Sequence, residues 1–276
     1  MIDFIASLLG EVIRFIYNLV GENYGLSIIL FTILTKLILF PINYKQSKAM
    51  KDMQKLAPLQ EEIKQKYKGN KEKQAEELAK AYEQYKINPM AGCLPLLIQI
   101  PIILAMFYIV KQPLTYILQV PEEQVIEYAQ EYLAKEDVSE REARNVEINI
   151  ASEKELMDMK FWNINFGDIP SESIKTDKEY KTSKWTLVIP ILSILLSWLQ
   201  SKISAKNSKM TEEQIQQQKS MNLMMPFLSG YIAYVMPIAL GVYWLLGSVL
   251  GIVSQLVIEK LLNKNIDEKA LLKEKN

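Results

Sequence analysis

The sequence predicts an all-α fold: a polytopic membrane protein with five transmembrane helices, a cytoplasmic antiparallel helical hairpin and an amino-terminal amphipathic interfacial helix. Three observations carry this. The composition averages to that of a soluble chain, 49% hydrophobic and 23% charged over 276 residues, but the apolar residues are segregated into runs long enough to cross about 30 Å of hydrocarbon at about 1.5 Å per residue. The longest run, 221–258, is 38 residues without a charge and is broken near its middle by Met236-Pro237, so it reads as two spans. The segments between runs alternate in net charge, as the positive-inside rule requires of a chain that crosses repeatedly.

In order along the chain, residues 1–23 place Ile2, Ile5, Leu8, Leu9, Val12, Ile13, Ile16, Leu19 and Val20 around a polar stripe of Asp3, Ser7, Glu11, Arg14 and Asn18. That is an amphipathic helix. Without the basic start of a secretory signal it is expected to lie uncleaved in the outer interface; the competing reading is an extra span with the amino terminus inside. The first span, 24–44, holds one internal charge, Lys36. Residues 45–88 read as a hairpin folded across Gly69-Asn70, with Leu56, Leu59, Ile63 and Tyr67 facing Ala75, Leu78, Tyr82 and Tyr85. Lys45, Lys48, Lys51 and Lys55 share a face next to the membrane, suited to anionic phospholipid headgroups or simply to a solvated helix.

The second span is 93–118, followed by an extracytoplasmic segment, 119–184. Capping-box patterns there, Ser139 with Glu142 and Ser152 with Glu155, predict short helices. Phe161, Trp162 and Phe166 suit an aromatic belt at the outer interface. A third span, 185–202, a loop, 203–220, the fourth and fifth spans, 221–236 and 238–258, and a tail, 259–276, complete the chain.

Charge sets the orientation. Segments 45–88, 202–220 and 259–276 hold 11, 4 and 5 Lys against 7, 2 and 4 acids, while 119–184 holds 9 basic and 16 acidic residues and the first 23 hold one Arg against three acids. The expected topology therefore puts the amino terminus outside, the carboxyl terminus and hairpin inside, and Cys93 near the inner face of a bacterial cytoplasmic membrane.

Zero histidine and one cysteine exclude histidine metal sites, Ser-His-Asp and Cys-His catalysis and internal disulfides. The 32 basic residues balance the 32 acidic ones, so nucleic-acid specificity by bulk charge is not expected. No phosphate-binding loop, nucleophile constellation or cofactor motif is present, and the chain is not expected to be an enzyme. What stands out instead is a lysine within a span, which costs on the order of 2.5–3.5 kcal/mol unless it meets water or protein. Lys36 has Thr32 one turn away and Thr35 adjacent; the alternative for it is snorkelling to the inner headgroups. Gln99, Gln200, Ser248 and Gln255 are candidates for a shared polar groove, or for bonds between helix pairs.

The segment 88–109, NPMAGCLPLLIQIPIILAMFYI, resembles the YidC family of membrane protein insertases. The resemblance continues in KLILFP (36–41), FWNINFGDI (161–169), SWLQSK (197–202), QQQKSMNLMMP (216–226) and ALGVYWLLGSVLGIVSQ (239–255). It implies a cofactor-free insertase of compact bacterial type that receives nascent membrane proteins from the ribosome, alone or beside the Sec translocon, and passes their hydrophobic segments to lipid. It further implies a positively charged groove open to cytoplasm and lipid. The family's arginine, five residues before the first-span proline, corresponds to Lys36 before Pro41, and Gln200 and Trp244 would line the groove with Lys36, Thr32 and Gln99. The hairpin residues Leu59, Ile63, Tyr67, Leu78 and Tyr82 would build a docking arm. The chain departs from the family in lacking a lipoprotein cysteine near its start and in the length of 119–184. A small-solute channel or secondary transporter using Lys36 as its substrate site is the rival reading, weakened by the absence of an internal repeat with paired broken helices.

Overall fold

A computed structural model of the chain describes residues 1–88, 94–135, 145–162, 164–174, 184–206 and 212–274, with side chains left aside for 94–96, 174, 204–206, 212–222 and 265–274. Ten α-helices carry the fold among the described residues. These are α1 (Ile2–Leu19), α2 (Tyr24–Lys55), α3 (Ala57–Lys66), α4 (Lys71–Gln84), α5 (Leu94–Lys111), α6 (Glu122–Leu133), α7 (Val146–Glu153), α8 (Val188–Lys206), α9 (Glu212–Val235) and α10 (Ile238–Glu274). Among the described residues, three stretches are long and apolar enough to cross a membrane: Tyr24–Lys55, Lys184–Ile203 and Ile238–Lys264. Leu97–Lys111 and Leu223–Val235 are shorter apolar helices. Leu37, Ile38, Leu97, Ile191, Leu195, Phe227, Tyr231 and Val253 lie exposed on these helices, a girdle of apolar surface that water would not tolerate and hydrocarbon would.

The first boundary differs from the sequence reading. α2 does not end at 44; it runs unbroken through Pro41 to Lys55, its first orphan amide capped by the Asn23 side chain, which accepts from Leu26 N at 2.8 Å. Residues 45–55 are thus a continuation of α2, and the hairpin proper is α3 and α4, 57–84. Its register also differs. The second arm buries Ala81 and half-buries Gln74, Leu78 and Tyr82, while Ala75 and Tyr85 are exposed. The Gln74 amide donates to the carbonyls of Lys64 (3.2 Å) and Tyr67 (2.9 Å), satisfying the open end of α3 and fixing how the arms meet. Beside the membrane, Lys45 and Lys48 are exposed, but Lys51 donates to Asn263 Oδ1 of α10 at 2.6 Å and Lys55 pairs with Asp52 at 2.7 Å, so half of the expected lipid-facing row is engaged within the protein.

At the opposite end, residues 114–135, 145–162 and 164–174 and α1 form a cap. α5 gives way to a wide π-type turn, Leu114–Leu118, that ends with Gln119 in the left-handed region (φ 52). Gln119 bridges to Arg14 and Glu11, tying the polar stripe of α1 to this turn. α1 divides into three strips. Ala6, Gly10, Ile13, Ile16 and Tyr17 are buried against α5, α2 and the turn; Asp3, Ser7, Glu11 and Asn18 are exposed and polar; Phe4, Leu8, Phe15 and Leu19 are exposed and apolar.

Short helices occur in the cap at α6 and α7, not where the capping boxes were read. Ser139 with Glu142 falls outside the described residues, as does Cys93. Ser152 lies in the last turn of α7, where Glu155 (φ 51) and the bond from Leu156 N to Ala151 O close the helix, so this pair marks a helix end rather than a start. Lys154 pairs with Glu131 at 2.7 Å and Lys135 with Glu153, joining α7 to α6. The Glu147 carboxylate is buried and accepts from Thr115 N (3.0 Å) and Thr115 Oγ1 (2.8 Å); burial raises its pKa against the opposing pull of those bonds.

The all-α expectation needs one amendment, a two-residue antiparallel ladder of β1 (Lys160–Phe161) and β2 (Ile164–Asn165). Of the three aromatics expected in a belt, Phe166 is buried and Phe161 half-buried; only Trp162, at 88% exposure, faces outward. Past β2 the chain caps α10, whose first amides donate from Ile238 to Asp168 O (2.8 Å) and from Ala239 to Phe166 O (2.9 Å). Burial, with Glu172 nearby, pushes the Asp168 carboxyl up to about 6.

Candidate functional site

Burial is uneven along the helices, and that unevenness defines the site. The main core joins α1, the cap halves of α2, α5 and α10, and the cap itself, through residues such as Ile13, Phe31, Met106, Ile109, Leu240 and Tyr243. Toward the hairpin end, α2 has no buried side chain over 33–55, α5 none over 97–104, α8 none over 198–203 and α10 none over 249–257. The bundle is packed solid at the cap and loosely filled beyond its middle. α5 packs broadly on α1 but touches α2 and α10 only sparingly.

Polar residues meet where the packing loosens. Counting from the cap ends of their helices, Lys36 is twelve residues from Tyr24, Gln99 twelve from Lys111, Gln200 twelve from Val188 and Gly251 thirteen from Ile238. At about 1.5 Å per residue all four lie roughly 18–20 Å below the cap ends. The structure brings Lys36 and Gln200 onto one face of α10. A Cβ at Gly247 would stand 3.3 Å from Lys36 Cε and 3.6 Å from Nζ, and one at Gly251 would stand 2.8 Å from Gln200 Nε2. Trp244, half-buried, shares that face by its three- and seven-residue spacing to the two glycines. Gln99 reaches it from α5 by a long contact of its amide to Tyr243 Oη, 3.4 Å.

Lys36 is half-buried and makes no ion pair among the described residues. A cation so placed is a standing attraction for a carboxylate. Thr32, expected to line the same groove, is fully buried with its hydroxyl donating to Ile28 O at 2.6 Å; it belongs to the packed region one turn toward the cap. Thr35 Oγ1 likewise donates within α2, to Phe31 O at 2.8 Å. Ser248 is buried beside the glycines. In the hairpin, Ile63 is buried and Leu59, Tyr67, Leu78 and Tyr82 are half-buried.

Two features escaped the sequence reading. One is the pair Gly247 and Gly251, whose part in the site shows only in the side chains that lie against them. The other is a serine ladder between α8 and α9: Ser197 Oγ to Ser229 Oγ at 2.9 Å, and Ser229 Oγ to Ser193 O at 3.3 Å.

Comparison with known proteins supplies the lineage. A family model described as 60Kd inner membrane protein matches residues 15–265. The chain belongs to that family. Among its relatives, a protein from Chlamydia trachomatis named membrane protein insertase YidC is 32% identical over 274 residues, 98% of this chain and 30% of its own length. One of the same name from Fusobacterium nucleatum is 28% identical over 261 residues, 94% of this chain and 98% of its own. A third, from Syntrophus aciditrophicus, is 45% identical over 95 residues, 34% of this chain and 17% of its own. The chain thus spans less than a third of the chlamydial relative and nearly the whole of the fusobacterial one. Membership in the 60Kd inner membrane protein family, together with the apolar helices, makes this a bacterial membrane protein, as the motifs in 88–109 and 239–255 led one to expect.

Proposed function

We propose that this chain is a membrane protein insertase that moves polar segments of newly made membrane proteins through a half-membrane groove without an energy source of its own. The single observation that carries the reading is the coincidence of depth: a lysine without an ion pair among the described residues and two glutamines from different helices lie roughly 18 Å from the cap ends of their helices, at the point where burial stops. In this reading α2, α5, α8, α9 and α10 are the five spans, the acidic cap with α1 lies outside, and the α3–α4 hairpin and the carboxyl terminus lie in the cytoplasm. α1 rests at the outer interface, where its three strips meet protein, water and lipid.

The chemistry follows from water and charge. A groove hydrated from the cytoplasm shortens the hydrocarbon that a substrate's polar tail must cross, and Lys36 draws acidic residues in that tail. A charge pair about 4 Å apart is worth up to about 4 kcal/mol at an effective dielectric near 20, which offsets the roughly 2.5–3.5 kcal/mol that a carboxylate costs at mid-membrane. Substrate helices then leave sideways along α8 and α10, whose apolar outer faces are exposed. The hairpin, braced inside by Ile63 and Gln74, serves as a docking arm for nascent chains and the ribosome, with the Sec translocon as an optional companion; Lys45 and Lys48 meet anionic phospholipids. Reconstitution of the full chain in liposomes tests the reading. Insertion of a small single-span protein without ATP supports it; flux of small solutes without insertion would replace it with a channel or transporter.

A further inference from the structure

Gly247 and Gly251 stand one turn apart on α10. In membrane helices such a Gly-x-x-x-Gly pair ordinarily lets two backbones approach. Gly241 and Gly230 stand against such a neighbour: a Cβ at Gly241 would meet Ile189 Cγ2 at 2.9 Å, and one at Gly230 would meet Ile194 Cδ1 at 2.6 Å, both apolar side chains on α8. At Gly247 and Gly251 the neighbours are instead the polar ends of Lys36 and Gln200, at 3.3–3.6 Å and 2.8 Å from the missing Cβ atoms. These two side chains come from different helices, α2 and α8, and reach the same strip of α10, beside buried Ser248. What a Cβ would meet at these two glycines is therefore the last methylene and ammonium of Lys36 and the amide of Gln200, not an apolar side chain.

We infer that Gly247 and Gly251 are positioning residues: their absent side chains form the slot that sets where the Lys36 ammonium and the Gln200 amide stand in the groove. A methyl at Gly247 would both displace the end of Lys36 and cover one side of its ammonium with hydrocarbon. A methyl at Gly251 would drive the Gln200 amide out of its place. The consequence for function rests on Lys36 being the group that meets acidic tails; the placement itself does not.

Two measurements on the full chain in liposomes keep these apart. The first reads placement directly, as the rate at which a water-soluble activated ester acylates Lys36, followed by mass spectrometry. Gly247→Ala is expected to change that rate several-fold while leaving Lys202 unchanged, and Gly241→Ala, whose Cβ would meet Ile189 and Ala233, is expected to leave Lys36 unchanged. Equal Lys36 acylation in wild type and Gly247→Ala overturns the inference.

The second reads selectivity with two single-span substrates whose tails differ only in Asp against Asn. A Cβ 3.3 Å from Lys36 Cε asks that side chain to give by a few tenths of an ångström. Gly247→Ala should therefore lower insertion of the Asp tail about twofold, the low end of an off-rotamer cost, with little loss for the Asn tail and no further loss when added to Lys36→Ala. Likewise Gln200→Ala should relieve the defect of Gly251→Ala. Equal loss for both tails, or loss that adds to that of Lys36→Ala, makes Gly247 a packing residue and refutes the positioning role. If Lys36→Ala itself treats the tails alike while Gly247→Ala still shifts acylation, the slot stands and the charge reading of Lys36 falls.

Discussion

The contact between α8 and α9 offers a quantitative test of what holds the groove's wall together. Two devices join these helices: the ladder in which the Ser197 hydroxyl donates to Ser229 Oγ and the Ser229 hydroxyl to the Ser193 carbonyl, and the close approach at Gly230. Interhelical hydrogen bonds in membranes average about 0.6 kcal/mol and reach about 1.7, because the separated helices also find partners. Ser229→Ala removes a hydroxyl that accepts from Ser197 and donates to Ser193 O, so both bonds are lost and the change should cost about 1.2 kcal/mol, about 0.6 for each. Gly230→Ala is different in kind. Its Cβ would fall 2.6 Å from Ile194 Cδ1 and 3.5 Å from Pro190 O, well inside contact distance for the first, and overpacking of this sort costs about 1–3 kcal/mol. Steric fit outweighs either hydrogen bond alone.

The assay is unfolding of the purified full chain in one detergent, wild type against Ser229→Ala, Gly230→Ala, Ile194→Ala and the double variant Gly230→Ala/Ile194→Ala. Ile194→Ala removes the colliding atoms, so the double variant should be more stable than the sum of the two singles by at least about 1 kcal/mol, a coupling expected only of residues in contact. Additive losses, or a Gly230→Ala no worse than the loss of a single such bond, would refute the account of this interface.

Three further outcomes are expected. Asp168 has a carboxyl raised to about 6 by burial and by Glu172, so its neutral form is favoured by folding: this contribution is complete below the ordinary value of 3.8 and is lost as pH rises through 6. Asp168→Asn should then melt higher than wild type at pH 7 and equally at pH 3.5, and an equal or lower melting point at pH 7 contradicts the shift. Introduced cysteines at 70–75 should resist an impermeant thiol reagent added outside intact cells, while one at Trp162 should react; labelling at 70–75 reverses the topology. Shortening α3 and α4 symmetrically about Gly69-Asn70 should lower insertion while the rest of the bundle unfolds at an unchanged temperature, and full insertion without residues 60–80 ends the docking role.

The parts of this fold that were legible in the sequence are those where the membrane itself imposes the cost. A run of about 20 residues that avoids charge is what hydrocarbon demands of a helix that crosses it, and Met236-Pro237 broke the last run at the place where α9 ends and α10 begins. The end of α2 was not legible, because the step from apolar to lysine-rich sequence after Tyr44 marks where the membrane stops, and helix propensity continues through Lys48, Met50 and Lys55. The hairpin register depended on Gln74 reaching the carbonyls of Lys64 and Tyr67, a contact across a turn that periodicity does not encode. Ser152 carried the residue types of a helix start and sat at a helix end, since a local pattern of Ser and Glu is read the same way at both. At the site, Lys36, Gln99 and Gln200 were conspicuous as polar residues in apolar runs, whereas Gly247 and Gly251 say nothing until it is known which side chains lie against them.

The central claim is that Lys36 meets the acidic tails of incoming chains in a hydrated groove, and its most direct measurement is insertion into liposomes of paired substrates differing only in tail charge, by wild type, Lys36→Arg, Lys36→Ala and Lys36→Glu at matched amounts. With an attraction worth up to about 4 kcal/mol at stake, the account predicts that Lys36→Arg retains insertion of the acidic-tailed substrate, Lys36→Ala lowers it at least about tenfold and Lys36→Glu abolishes it, while the neutral-tailed substrate loses much less in each. Equal sensitivity of the two substrates to Lys36→Ala, or equal insertion of both by all four proteins, would contradict it.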